Sequence, residues 1–251
     1  MSIAPYPTVC VHPPVRDVYI SRQLINNGTW EPIIVEKFLK VLRTNPDVGV
    51  IDLGANIGVY SLLAAKMRHD VIAVEPYSEN VARLLTAATV DNTTQHITIL
   101  QNAVSDHCGI AAMYFSDANQ GDIRVSNSNY VSDLTKHNAS CLTLSCLQTF
   151  TSFPRAVLKV DIQGNEHRAL LSLPQLLQTV DVICIFMEWS LLRTYHGSDI
   201  EASINKTLVN DLVVMLQDDC GYIPFSSISD KRLNIAFWYG WPDDVIWRRE
   251  P

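Results

Sequence analysis

Short apolar runs recur along this chain, and stretches with helical spacing separate them. Val48, Val50, Ile51 and Leu53 form the first run, and others lie within 70–76, 97–101, 156–161 and 182–188. Runs of this kind suit strands covered on both faces, as in a parallel sheet. Helical composition follows the first run at 59–66 and returns at 166–173 and about 204–217. From 48 to 104 strand and helix alternate, the βαβ order that builds a parallel sheet through right-handed crossovers. Residues 221–225 and 233–239 add a closing hairpin. The pattern predicts an α/β, Rossmann-like fold: a seven-stranded, mostly parallel sheet with an antiparallel last strand and helices on both faces.

Outside these runs the pattern is weaker. Pro5, Pro7, Pro13 and Pro14 make 1–28 an irregular lead-in, and 29–251 is expected to form a single domain. Trp30 to Leu42 has helical spacing and is expected to cover one sheet edge. Between 107 and 150 the periodicity blurs. Ala111 to Phe115 reads as a strand, whereas Asn119-Gln120-Gly121-Asp122 and Ser126-Asn127-Ser128-Asn129 are turn-rich. Such an insertion suits the wall of a substrate pocket.

Chemistry concentrates where the strands end. The run Val50 to Gly58 passes from a buried strand through a glycine turn into a helix. Gly54 and Gly58 let a ligand approach the backbone, and the helix start favours an anion. A dinucleotide fingerprint would place glycines at 54, 56 and 59. Asn56 and Val59 stand there instead, which disfavours NAD. Asp52-x-Gly54-x-Asn56-x-Gly58 instead resembles motif I of class I S-adenosylmethionine (SAM) methyltransferases. In that reading Asp52 faces the ammonium of the methionine moiety. Glu75 ends the second strand about twenty residues beyond Gly54, the spacing of one strand-helix-strand unit, and accepts both ribose hydroxyls. Asn102, Ala103 and Val104, after the third strand, then lie where the adenine is held.

Composition narrows the partners. The 251 residues are 47% hydrophobic and 18% charged, enough to bury a sizeable core. A net charge of −7, with no basic cluster longer than Arg248-Arg249, excludes a nucleic-acid partner of the ordinary kind. No stretch approaches the roughly 18 apolar residues of a transmembrane segment. The start, Met1 to Pro7, lacks the regions of a signal peptide, which reads as cytoplasmic. Sequons at Asn27, Asn92, Asn138 and Asn205 and an even count of six cysteines favour the secretory pathway and the Golgi lumen. Cys184 reads as a buried strand residue, and reduced thiols with chance sequons are the plain alternative.

From about Trp30 to Phe237 the chain resembles the FkbM-type methyltransferases. The resemblance rests on Ile51 to Ser61 with Val74-Glu75-Pro76, and on Leu158 to Glu166, which is similar to that family's Lys-hydrophobic-Asp-hydrophobic-Glu-Gly-x-Glu. Gln163 stands where many members carry Glu. Asn119 to Asp122, Asp161 to Gly164 and Met187-Glu188-Trp189 look most like the animal members. The resemblance implies the class I methyltransferase fold, SAM as cofactor, and O-methylation of a hydroxyl on a small molecule, sugar or glycan.

Methyl transfer to a hydroxyl needs alignment and a base within hydrogen-bond reach. Asp161 and Glu188 end adjacent strands, where open α/β sheets gather ligands. Asp161 is the first candidate for the base, with Glu188 orienting the acceptor or sharing the proton. His167 and His196 are the histidine candidates. The two carboxylates could instead hold a divalent metal such as Mg²⁺ or Ca²⁺, although no third ligand is apparent. Glu166 reads either as a helix-start carboxylate or as a site residue. Lys159, inside an apolar strand, is expected to pair with a carboxylate. Trp189, Tyr195 and Trp238 are candidates either for stacking on a sugar or for packing, and Arg193 for an anionic acceptor. A non-catalytic interaction protein that keeps the fold is the rival function.

Overall fold

The computed structural model describes residues 6–116, 119–126, 135–196 and 200–249, with side chains at 115–136 and 196–204 outside the description. The chain opens with α1 (Ile20–Asn27) and α2 (Pro32–Thr44), then β1 (Gly49–Leu53), α3 (Val59–Lys66), β2 (Val71–Val74), α4 (Ser78–Val90) and β3 (Ile97–Leu100). Next come β4 (Ala103–Val104), β5 (Gly109–Ser116), β6 (Asn119–Ser126) and β7 (Thr135–Leu142). The order continues with β8 (Arg155–Val160), α5 (Glu166–Ala169), α6 (Leu173–Leu176), β9 (Asp181–Glu188), α7 (Ile200–Val214), β10 (Tyr222–Ser226) and β11 (Asp244–Arg249).

Seven strands form the main sheet in the order β10-β11-β9-β8-β1-β2-β3. β1, β2, β3, β8 and β9 pair in parallel, and β11 runs antiparallel to both β9 and β10. The order reverses between β1 and β8, so the crevice beyond their carboxyl ends is the topological switch point. Along β1 the side chains alternate between faces. Ile51 and Leu53 join Leu158, Ile185 and Trp247 under Leu170, Leu173 and α7. Val50 joins Val71, Val157 and Phe186 under α2, α3 and α4. Both faces are therefore covered by helices, which is why these strands are apolar at consecutive positions.

Four expectations are corrected. The lead-in contains α1, whose first turn is held by Asp17: its carboxylate accepts the N–H groups of Ile20 (3.1 Å) and Ser21 (2.8 Å). Helix α2 lies on a sheet face rather than an edge, with Phe38 edge-on to Tyr60 and Phe186. Asn119 to Asp122 belong to β6, and the strands β4, β5, β6 and β7 form a second sheet in the order β4-β7-β5-β6. Residues 127–129 of the second turn-rich motif lie outside the described residues. The last strand is 244–249, not 233–239. Ile235–Gly240 forms a 3-10 segment whose Trp238 is buried, with Nε1 donating to Asn210 Oδ1 at 2.6 Å. An aromatic run buried by one face of an irregular segment looks like a strand when only hydropathy is read.

Candidate active site

A cleft opens at the switch point. One side is built by the β1 turn. Asp52 is 2% exposed, and its Oδ2 accepts the Ser61 hydroxyl at 2.6 Å. Burial pushes its carboxyl up to about 6. Gly54 (φ +79°) donates its N–H to the Val74 carbonyl at 2.9 Å, and a Cβ there would collide with the Asp161 carbonyl. Asn56 takes the left-handed conformation that asparagine tolerates, and its N–H donates to Glu75 Oε2 at 2.8 Å.

Glu75 is buried beside that turn. Its Oε1 accepts the Tyr77 N–H (2.9 Å) and the Asn80 amide (3.2 Å). A carboxylate oxygen accepts two hydrogen bonds comfortably, so the remaining acceptor is on Oε2. That leaves room for one strong ribose hydrogen bond rather than the expected two. Burial raises Glu75 to about 7. Asn102, Ala103 and Val104 line the cleft beyond it. Gly58 does not line it. The missing Cβ at Gly58 (φ +92°) instead makes room for Leu84 of α4.

The other side gathers residues from distant segments. Lys159, 1% exposed, points its Nζ to Asp161 Oδ2 at 3.3 Å and lies 5.0 Å from the Tyr60 ring centre. Tyr60 donates to Glu31 Oε2 at 2.6 Å. Gln163, left-handed at φ 56°, donates its side-chain amide to Asp161 Oδ1 at 3.0 Å and to Glu188 Oε2 at 3.3 Å. Ser190 donates to Glu188 Oε1 at 2.7 Å. Asp244 faces Glu188 across the β9/β11 register.

This geometry separates the two carboxyls electrostatically. Burial opposes ionisation at Asp161, but the Lys159 ammonium and the hydrogen bonds from Glu188, Lys159 and Gln163 together outweigh it and the pKa is lowered. Burial and then the Asp161 charge raise Glu188. The pair therefore shares one proton, held on the Glu188 side. Burial lowers the Lys159 pKa, yet Asp161, Glu31, Asp244 and Glu188 together reverse the shift and keep it a cation. Burial also raises Glu31, and raises Asp244 to about 7.

Other candidates stand apart. His167 does not line the cleft: it is buried, packs edge-on to Tyr195 at 5.6 Å, and burial lowers its pKa to about 4. His196 ends a 3-10 segment, and its side chain lies outside the description. Glu166 holds the turn after β8, with Oε1 accepting the Ile162 N–H at 2.9 Å. Trp189 and Trp238 are core residues, edge-on to each other at 6.4 Å. Tyr195 donates to the Gly164 carbonyl at 3.1 Å, and Arg193 pairs with Asp243 at 2.5 Å. Among the described residues no three His, Cys, Asp or Glu side chains converge as metal ligands. No helix among them is long and apolar enough to cross a membrane. Of the four sequon asparagines, Asn205 is buried, while Asn27, Asn92 and Asn138 are exposed. Glu31, Tyr60, Asn80 and Asp244 were not singled out beforehand. Only Tyr60 lay within a recognised motif.

The strand order, the switch-point cleft and the β1 turn define a Rossmann-like α/β fold of the kind that class I methyltransferases share. The family model of the methyltransferase FkbM domain matches residues 52–224, and the chain belongs to that family. An FkbM methyltransferase from Methylobacillus flagellatus is 15% identical, with a TM-score of 0.44. The match covers 80% of this chain and 43% of that one, so this chain spans under half of that relative's length. A Staphylococcus aureus protein assigned as a caffeoyl-CoA O-methyltransferase is 10% identical, with a TM-score of 0.50 over 90% of this chain and 88% of that one. The SAH-bound Podospora anserina methyltransferase PaMTH1 is 8% identical, with a TM-score of 0.48 over 85% and 76%. No curated protein matches significantly.

Proposed function

We propose that this FkbM-family methyltransferase is a SAM-dependent O-methyltransferase acting on a neutral, hydroxyl-rich acceptor such as a sugar or glycan. The observation that carries the reading is the pair Asp161 and Glu188, joined by the Gln163 amide at the open ends of β8 and β9. The residues of the β1 turn fit the donor. Asp52 suits an ammonium, Oε2 of Glu75 a ribose hydroxyl, and Asn102 to Val104 a flat base. Bound SAM supplies an electrophilic methyl group whose sulfur loses its positive charge on transfer.

The chain's own residues handle the acceptor. Lys159 and the hydrogen bonds from Gln163 and Glu188 keep Asp161 ionised, so Asp161 Oδ takes the hydroxyl proton as the acceptor oxygen attacks. Glu188, retaining its proton, donates a hydrogen bond to a neighbouring acceptor oxygen. Gln163 fixes the spacing of the two groups, which confines the acceptor to an aligned pose. Glu31 and Asp244 add carboxyl groups on the same side, which disfavours anionic acceptors.

Calorimetric titration of EDTA-treated protein with SAM and S-adenosylhomocysteine tests the first half. Micromolar binding followed by labelled methyl transfer to sugars, with and without Mg²⁺, supports the proposal. Absence of donor binding by folded protein overturns it and favours a non-catalytic interaction protein.

A further inference from the structure

Away from the cleft, two thiols from different segments meet. Cys108 immediately precedes β5, and Cys146 lies in the 3-10 segment Leu144–Thr149 that follows β7. Their sulfurs are 3.6 Å apart. Cys108 is exposed and Cys146 partly so, whereas Cys141 and Cys184 are buried. The Thr143 hydroxyl lies 3.2 Å from the Cys146 sulfur and holds its pKa below the usual thiol range. A disulfide needs sulfurs about 2.05 Å apart, and the two thiols already stand in contact.

We propose that Cys108 and Cys146 form a redox-closable pair, oxidised to a disulfide by exchange with a low-molecular-weight disulfide such as oxidised glutathione. The Cys146 thiolate attacks one glutathione sulfur, breaking that S–S bond and releasing a glutathione thiolate. The Cys108 thiolate then attacks the Cys146 sulfur of the mixed disulfide and releases the second glutathione. The protein pair loses two electrons, oxidised glutathione gains them, and the two thiol protons leave on the two glutathiones. The new bond closes a ring that contains β5, β6 and β7. It begins four positions beyond Val104, which lines the cleft. Ring closure would stiffen the sheet behind that wall.

The test is equilibration of the full chain with reduced and oxidised glutathione, followed by alkylation and non-reducing peptide mapping. A Cys108–Cys146 link, with two of the six thiols lost and the other four alkylatable after unfolding, is expected. Closing a ring of this size should raise Tm by about 5–10 °C over the reduced protein. The variant Cys108→Ser should stop at glutathione on Cys146. Thr143→Val, which leaves both cysteines in place, should slow the exchange. Retention of all six thiols, or a glutathione adduct on wild-type Cys108 that never resolves onto Cys146, overturns the pair.

Discussion

The two sides of the cleft are built on opposite plans. The proposed donor side comes from contiguous chain: Asp52, Gly54 and Asn56 share one turn, and Glu75 joins that turn by accepting the Asn56 N–H. The acceptor side is assembled from Glu31, Tyr60, Lys159, Asp161, Gln163, Glu188 and Asp244, spread over most of the chain. The donor side is fixed by backbone geometry, including a glycine that no other residue replaces without collision. Side-chain charge fixes the acceptor side, where one buried ammonium is set among several carboxyls. Variants on the two sides should therefore fail in different ways.

The largest effect is expected at Asp161. Asp161→Asn removes the proton acceptor and should lower kcat by about 10²–10⁴-fold. Donor affinity should stay within about twofold, because the Asp161 side chain faces the Lys159 and Gln163 groups rather than the β1 turn. Single-turnover transfer and calorimetry on the same preparation separate the two quantities. Near-normal turnover would move the base to another group. Glu75→Ala should show the reverse pattern: donor Kd weaker by about 10–100-fold, since the proposed ribose hydrogen bond is lost and the N–H groups of Asn56 and Tyr77 and the Asn80 amide lose their acceptor. Wild-type affinity in this variant would break the assignment of the donor side.

The same contrast explains what was legible in the sequence. The β1 turn could be read because strand, glycines and acid are neighbours whose spacing follows from one βαβ unit. Asp161 and Glu188 could be read because each ends an apolar run. Glu31 gives no local signal: it precedes Pro32 at a helix start, and only the folded chain brings it to the cleft wall beside the Tyr60 hydroxyl. Gln163 registered as a departure from the family pattern, and its bridging role needed the left-handed turn that aims its amide at both carboxyls. The β6 strand was hidden by the polar Asn-Gln-Gly-Asp composition. β11 lost out to the more apolar run at 233–239, although Arg248 and Arg249 at its end pair with Asp230 and Asp181. Gly58 was assigned to ligand binding, yet it serves helix packing. A glycine's reason for being glycine is visible only once its neighbours are known.

Gly58 supplies a smaller test. Gly58→Ala places a Cβ against Leu84 at a left-handed position and should destabilise the protein by about 1–3 kcal/mol in denaturant unfolding. Donor affinity of the folded variant should be unchanged, because Gly58 does not line the cleft. A tenfold loss of affinity without a loss of stability would return Gly58 to the donor site.

The smallest effect, and the most specific to the donor side, is in pH. Asp52 and Glu75 are raised by burial from ordinary values of 3.8 and 4.5 to about 6 and about 7. For an acid raised on folding, the native state binds the extra proton. Its stabilising contribution is full below the unfolded pKa and lost as pH rises through the folded one. Donor-free protein should thus lose stability from these two groups as pH rises from about 4 to 7. Donor binding should run the other way. An ammonium is attracted by ionised Asp52, and at pH 5 a group titrating near 6 is ionised in only about one molecule in eleven, so Kd should be about tenfold weaker than at pH 8. Asp52→Asn keeps an acceptor for the Ser61 hydroxyl but carries no charge. Calorimetry across this range should therefore give a flat pH profile and uniformly weaker binding for the variant. A variant that kept the wild-type slope would place the titrating group elsewhere in the cleft, with Glu75 the next to be neutralised.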